Sequence, residues 1–222
     1  MAKIKYFIDF DDTLFNRNKF WNALIEIMSK YGLEEEFKAT YKHPELYRNG
    51  GYEGAKPHLM LLKKQREELG GDITVFEKIG EEIEALFERA PEFLYPEAIA
   101  FLQAIDRNKY DVKILTVGGK EFQRSKVKGS GIEELVGEAN VIYTTQSKDA
   151  ALAGSGQDSK LVEPDEQFIL LEDKQETIDA VRASFPNANV VRAVNGSLME
   201  HLDPGVGVRL VEIGKKEELA PH

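Results

Sequence analysis

A doubly wound parallel α/β sheet, with an all-helical subdomain inserted after its first strand, is the fold that three features of the sequence predict. Short β-branched and aromatic runs alternate with amphipathic segments through the second half of the chain, the order that a parallel sheet covered on both faces requires. One such run, Ile4-Lys5-Tyr6-Phe7-Ile8, also opens the chain. Between it and the next strand lies a block dominated by helical spacing, far longer than the ~2–6 residues that ordinarily join two elements. The expected organisation is a core of residues 1–15 and 91–222 and a helical subdomain of residues 16–90.

Taken in order, Lys3 to Phe10 reads as a buried strand ending in the acidic loop Asp9-Phe10-Asp11-Asp12-Thr13. From Asn18, the residues Phe20, Trp21, Leu24, Ile25, Met28 and Tyr31 recur at helical spacing, with Gly32 as a stop, which places Trp21 on a core stripe. Tyr41 to Pro57 is rich in Gly, Pro, Tyr and His and reads as irregular. Helices are expected at His58–Leu69 and Val75–Glu88, and another opening at Tyr95-Pro96 and running to Ile105. Strands are then expected at Asp111–Thr116, Asn140–Thr144, Gln167–Glu172, Asn189–Ala193 and Val208–Ile213, with helices at Glu121–Lys128 and Glu176–Ser184. Ala150 to Lys160, with Gly154-Ser155-Gly156, is the stretch expected to be flexible.

The composition narrows the function classes. A hydrophobic content of 42% and a charged content of 31% suit a globular protein, and no run approaches the ~18 apolar residues of a membrane span. The N-terminus meets acidic residues too early for a signal peptide. The chain has no cysteine, which excludes disulfides, thiolate metal sites and cysteine nucleophiles and fits a cytoplasmic location. A net charge of −10 argues against nucleic-acid binding, which needs clustered Lys and Arg, but leaves room for a small phosphorylated substrate. The histidines His43, His58, His201 and His222 lack metal-ligand spacing.

Doubly wound sheets place ligands at the carboxyl ends of their strands. Four such ends carry Asp9 and Asp11, Thr116 to Gly119, Thr144-Thr145 with Lys148, and Glu172-Asp173. Asp9, Asp11 and Asp173 make an oxygen-rich set suited to Mg²⁺, which takes one or two carboxylates and completes its shell with water and phosphate oxygens. A carboxylate attacks a phosphoryl group only if the negative charge of its oxygens is offset, and a metal and a lysine can do that. A hydroxyl and backbone amides at Thr116 to Gly118 can hold the remaining oxygen, so covalent catalysis by an aspartate becomes feasible.

Phe7-Ile8-Asp9-Phe10-Asp11-Asp12-Thr13-Leu14 resembles the first motif of the haloacid dehalogenase superfamily, a strand followed by Asp-x-Asp-x-Thr. Ile114-Leu115-Thr116 is similar to its second motif, Lys148 to its third, and Leu170-Leu171-Glu172-Asp173 to its fourth, all in the same order. The helical block at 16–90 resembles the C1 cap of that superfamily. The resemblance implies a Rossmann-like core and a Mg²⁺-dependent phosphatase acting through an aspartyl phosphate. Asp9 would attack phosphorus, and Asp11 would protonate the leaving oxygen and then deprotonate water. Asp9, Asp173 and the main-chain carbonyl of Asp11 would hold Mg²⁺, and Thr116 and Lys148 the phosphoryl oxygens. Superfamily members that cleave carbon–halogen bonds lack an acid at the position of Asp11, so its presence favours phosphoryl chemistry.

Lys126, Lys160 and the more remote Lys120 stand as alternatives to Lys148, and Glu172 orients a metal-bound water or binds directly. Asp12 and Thr13 either take part or cap the following helix. In the polar-aromatic cluster of Tyr41, His43, Tyr47, Arg48, Tyr52, Lys56 and His58, most members read as packing residues, with Arg48 the best single substrate contact beside Gly118. The competing functions are a phosphomutase or other phosphotransferase of the same superfamily, a catalytically silent binding protein, and a phospho-accepting receiver domain. The large insertion after the first strand speaks against the receiver.

Overall fold

A computed structural model describes residues 2–48, 51–155, 159–193 and 197–203. The expected Val208–Ile213 strand lies outside the described residues. The chain opens with β1 (Ile4–Ile8), then runs through α1 (Arg17–Lys30), α2 (Glu34–Thr40), β2 (Tyr47–Arg48), β3 (Gly51–Tyr52), α3 (Ala55–Glu68) and α4 (Val75–Glu88). It returns through α5 (Ala98–Ala104) to β4 (Tyr110–Val117), α6 (Lys120–Gly129), α7 (Ile132–Val136) and β5 (Val141–Thr144). It continues as α8 (Lys148–Ala153), β6 (Phe168–Glu172), α9 (Gln175–Ser184) and β7 (Asn189–Arg192).

The main sheet is parallel with strand order β5-β4-β1-β6-β7. The alternation of side chains along β1 and β6 explains why they are central. Tyr6 and Ile8 enter one apolar cluster with Ile169 and Leu171, while Phe7 joins Phe168 and Leu170 in a second cluster on the other face. A strand buried on both faces is apolar along its run, and β6 is buried at all five positions, with Glu172 the single polar residue at its end. The chain builds outward from β1 to β4 and β5, then crosses back to β6, so the strand order reverses beside β1 and leaves a crevice at the carboxyl ends. The expected doubly wound sheet is therefore observed.

Helices α1 to α4 lie between β1 and β4 and pack on one another, α1 against α2 and α4, and α3 against its neighbours α2 and α4. Helix α4 shows why such a segment folds: Phe76, Ile79, Ile83 and Leu86 repeat at three- and four-residue intervals and are buried. The two chain crossings between this segment and the sheet run side by side. Phe15 forms an antiparallel bridge with Leu94, the Asn16 amide donates to the Phe93 carbonyl and the Tyr95 amide to that of Leu14. Among the described residues, no helix is long and apolar enough to cross a membrane.

Several local expectations need correction. The stretch read as irregular contains the β2–β3 hairpin, too short for a periodic signal, and α3 starts three residues early, at Ala55. Helix α5 begins at Ala98, because Tyr95 and Ala98 close a turn first. The stretch expected to be flexible starts inside α8, which ends on Gly154 in the left-handed conformation. Helices α2 and α7 were not foreseen; both are short and bury few side chains.

Two contacts fix the segment against the sheet. The Gly119 amide donates to the Tyr52 carbonyl, and a Cβ on Gly119 would fall 2.7 Å from the Cα and O of Glu53. Gly54, with φ +114, lies equally tight against Phe122. Behind the hairpin, His58 is fully buried, stacked on Phe37 at 4.0 Å between ring centres. Its Nδ1 lies 2.9 Å from the Tyr52 hydroxyl and its Nε2 2.8 Å from Thr40 Oγ1. Thr40 donates to the Glu36 carbonyl, so a neutral ring satisfies the chain by accepting from Tyr52 and donating to Thr40. Burial pulls the His58 pKa down to about 4.

Two outcomes follow. Gly119→Ala forces the hairpin backbone away from α6 and should cost about 1–3 kcal/mol, read as a lower urea midpoint; an unchanged midpoint would mean that the contact is loose. Because the folded pKa of His58 lies below its unfolded value, its contribution is complete above about pH 6.5 and disappears as pH falls toward 4. The loss approaches about 3 kcal/mol, and His58→Gln should flatten that part of the stability–pH curve. An equally steep acid loss in the variant would show that another group is responsible.

Candidate active site

The site forms where β1, β4 and β6 end together. Parallel register sets Ile8 beside Leu171, which brings the residues following β1 next to the end of β6. The Asp9 amide donates to the Leu171 carbonyl at 2.9 Å, and Asp9 is only 4% exposed. Beyond it the chain doubles back. The amides of Leu14 and Phe15 both donate to the Phe10 carbonyl, and the Asp12 amide donates to that of Phe15. Asp12 takes φ +61, a left-handed conformation that Asp tolerates better than most residues. It accepts from the Arg17 amide and pairs with the Arg17 guanidinium at 2.8 Å, while Asn16 caps α1. Asp12 therefore orders the loop, and the Thr13 hydroxyl reaches Asp9 Oδ2 at 3.4 Å.

Two buried lysines divide the acids between them. Lys148, the first residue of α8, pairs with both Asp9 and Glu172. Lys126 of α6 pairs with both oxygens of Asp11, at 2.5 and 2.7 Å, and Gln123 Nε2 donates to the same carboxylate at 2.9 Å. Among the alternative lysines, Lys126 thus serves Asp11 rather than Asp9, Lys160 pairs with Glu163, and Lys120 is exposed. Lys126 is 1% exposed and lies 5.0–5.6 Å above the rings of Phe10, Phe15 and Phe122. Sequence reading gave it no such role, since a lysine in an amphipathic helix normally faces solvent.

Burial pushes the Asp9 carboxyl well above the ordinary range; Lys148 opposes this and the charge of Glu172 adds to it. Burial acts the same way on Asp11, but the Lys126 ammonium and the Gln123 amide outweigh it and hold Asp11 below that range. Lys148 loses to burial but gains more from Asp9 and Glu172, which keep it protonated. Asp173 is raised by burial and by Glu172.

Asp9, Glu172 and Asp173 offer oxygen atoms that all lie within 4.8 Å of one another. Asp173 Oδ1 is buried without a partner. Raised carboxyls beside an orphaned oxygen are what a hard cation would relieve, so this donor set fits Mg²⁺. The expected trio of Asp9, Asp11 and Asp173 is regrouped: the Asp11 side chain is committed to Lys126, and Glu172 stands with the other two.

Thr116 Oγ1 is likewise buried without a partner, at the end of β4 and on the wall of the cleft. Gly118 differs from its expected part. Its amide already donates to the Thr144 carbonyl, and a Cβ there would meet Gln123 Nε2 at 2.7 Å, so Gly118 shapes the loop and makes room for Gln123. Only the backbone place of Arg48 in β2 is described; its side chain lies outside the described residues. Trp21, expected in the core, is half-buried: it packs on Phe37 and also borders the cleft. The cleft encloses about 450 Å³ between the acids and the helical segment.

No protein-family profile matches the chain, and no curated protein sequence matches it. Solved structures do. A haloacid dehalogenase-like hydrolase from Burkholderia xenovorans superposes with a TM-score of 0.62 at 19% identity, covering 86% of this chain and 82% of that one. A haloacid dehalogenase-like family hydrolase from Xanthomonas campestris gives a TM-score of 0.60 at 19% identity, with coverage of 86% and 82%. The chain therefore has the haloacid dehalogenase-like fold, a parallel Rossmann-like sheet with a helical insertion after its first strand.

Proposed function

We propose that this chain is a Mg²⁺-dependent phosphoric-monoester hydrolase in which Asp9 accepts the phosphoryl group of a small phosphorylated metabolite, with helices α1–α4 acting as a cap over the cleft. The observation that carries this reading is the pairing of Asp9 and Asp11, two residues apart, each on its own buried lysine at the mouth of one cleft. A single nucleophilic acid would suffice for carbon–halogen cleavage. A second acid held beside it supplies proton transfer, which an alkoxide leaving group requires.

In the proposed sequence, an Asp9 oxygen attacks phosphorus, the bond to the ester oxygen breaks, and Asp11 delivers its proton to that oxygen. Water then attacks the phosphorus of the aspartyl phosphate, Asp11 takes up the proton, and the bond to Asp9 breaks to release inorganic phosphate. Lys126 favours the ionised form of Asp11, which suits the second half. In the first half, the approaching phosphoryl charge raises the affinity of Asp11 for its proton. The unpartnered Thr116 hydroxyl and the Lys148 ammonium are the protein's donors to the phosphoryl oxygens. Asp9 and Asp173 would hold Mg²⁺ with the Asp11 carbonyl, and Glu172 would help through the same cluster. When bound, the metal supplies positive charge that offsets repulsion between Asp9 and the phosphoryl group. The cap excludes bulk water.

Asp9→Asn should abolish Mg²⁺-dependent phosphate release from a panel of phosphate monoesters while the thermal midpoint holds or rises; a purified variant that keeps its rate would refute the nucleophile. Asp11→Asn should slow turnover by about 10²–10⁴-fold, and a normal rate would remove its acid–base role. Asp173→Asn should weaken Mg²⁺ binding by about 10–100-fold in calorimetry. It should also stabilise the metal-free protein, because it removes one negative charge from the crowded group of Asp9, Glu172 and Asp173. An unaltered Mg²⁺ isotherm would strike Asp173 from the ligand set.

A further inference from the structure

Part of the cleft lining is aromatic. Trp21, Tyr41, Tyr47, Tyr52 and Phe122 all border it and all are half-buried, whereas Phe10, Phe15 and Phe37 are wholly inside. Core packing accounts for the second group but not for five partly open rings around one space. The rings also hold one another in place. Trp21 and Tyr41 are 4.5 Å apart between centres, Tyr41 and Tyr52 5.1 Å, and Tyr47 and Tyr52 5.8 Å. Phe122 meets Tyr52 edge-on at 5.6 Å. A surface so braced is ordered before a ligand arrives, which lowers the cost of binding.

The tyrosine hydroxyls on this wall are already engaged. The Tyr52 hydroxyl bonds to His58 Nδ1, and the Tyr47 hydroxyl faces that of Tyr41, the two rings meeting edge-on at 6.0 Å. A polyhydroxylated leaving group would therefore find ring surface in place of free donors and acceptors. The cations at the cleft are engaged as well: Arg17 with Asp12, Lys126 with Asp11, and Lys148 with Asp9 and Glu172. Among the described residues lining the cleft, Lys174 has no ion pair; it precedes α9 at the carboxyl end of β6, where its amide donates to Glu172. Among the described side chains that line the cleft at the aromatic wall, a second anionic group on the substrate would thus meet no unpaired positive charge. Rings favour a flat apolar partner, through offset or edge-on contacts that an aliphatic group of the same size makes less well.

Building on the phosphatase reading, we propose that this wall is a leaving-group subsite for an uncharged planar ring, so that the substrate is a phosphate monoester whose alcohol carries an aromatic ring or nucleobase. Trp21 is the only tryptophan of the chain and stands on the wall, so its emission reports occupancy without turnover. The test titrates the intact protein, in Mg²⁺, with three non-hydrolysable probes: benzylphosphonate, cyclohexylmethylphosphonate and 2,3-dihydroxypropylphosphonate. Benzylphosphonate should quench Trp21 and bind at least about tenfold more tightly than either of the others. Tyr47→Leu should lower its affinity toward that of the cyclohexyl probe. Equal affinity for the benzyl and cyclohexylmethyl compounds would overturn the proposal. So would tighter binding of the dihydroxypropyl probe, or no saturable binding of benzylphosphonate. Calorimetry with uridine 5′-monophosphate and benzylphosphonate, both on Asp9→Asn, separates the two sources of the ring: tighter binding of the nucleotide assigns a nucleobase, and weaker binding a single aryl ring. The phosphonate series does not depend on turnover. Phosphate release that survives Asp9→Asn would defeat the catalytic reading, whereas indifference among the three probes would defeat the subsite alone.

Discussion

Asp9, Asp11, Glu172 and Asp173 are crowded at the carboxyl ends of adjacent parallel strands, and the rest of the site follows from how their charge is balanced. Sheet register forces Asp9 and Glu172 together, because Ile8 sits beside Leu171 and each acid follows directly. Neither is open to water, so neither can be screened by it. Lys148 reaches in from α8 and serves both at once. The loop after β5 must therefore deliver the start of α8 to this point, and a break in that geometry would leave two buried carboxylates unpaired. Asp173 keeps an unpaired oxygen even so. A site that crowds negative charge where little water reaches it is poorly arranged for stability and well arranged for a cation.

The separate pairing of Asp11 adds a second condition. If one lysine served Asp9 and Asp11 together, the two acids would share a single electrostatic environment and move in the same direction. Lys126 prevents this: burial and Glu172 lift Asp9, while Lys126 and Gln123 hold Asp11 down. Carboxyls two residues apart can thus take different parts in one reaction, which is how environment assigns acid–base roles. Gln123 reaches Asp11 only because Gly118, at φ +147, leaves space where a side chain would stand.

The strands were legible in the sequence because buried parallel strands leave an unmistakable apolar run, and the acids because strand ends converge whatever the loops do. Asp9, Thr116, Lys148 and Asp173 could be assembled from those two facts. The role of Lys126 could not. It shares the inward face of α6 with Phe122, Gln123 and Val127, but a lysine there reads as one whose ammonium reaches out to water, and its pairing with Asp11 depends on the path of the β1 loop. The amide of Gly118 was assigned to a ligand because pairing between strand ends, here with Thr144, depends on register rather than composition. Trp21 lies on a regular apolar stripe, and periodicity cannot tell a stripe that ends in a core from one that continues along a cleft.

The aromatic wall and the ion pairs belong to one arrangement. A lysine–carboxylate pair is worth little where water can reach it and more where the surroundings are apolar and polarise poorly. Lys126 lies against three phenyl rings, one of which, Phe122, is also part of the cleft wall. The same ring packs against Gly54 and Tyr52, and Tyr52 is fixed through His58 and Thr40 to α2 and α3. A continuous set of contacts thus runs from the helices of the insertion, through the rings, to the ammonium group that sets the charge of Asp11. Displacing the hairpin would open the wall and admit water to that ion pair in the same motion, so the position of the helical segment governs both what the cleft can hold and how strongly its acids are charged.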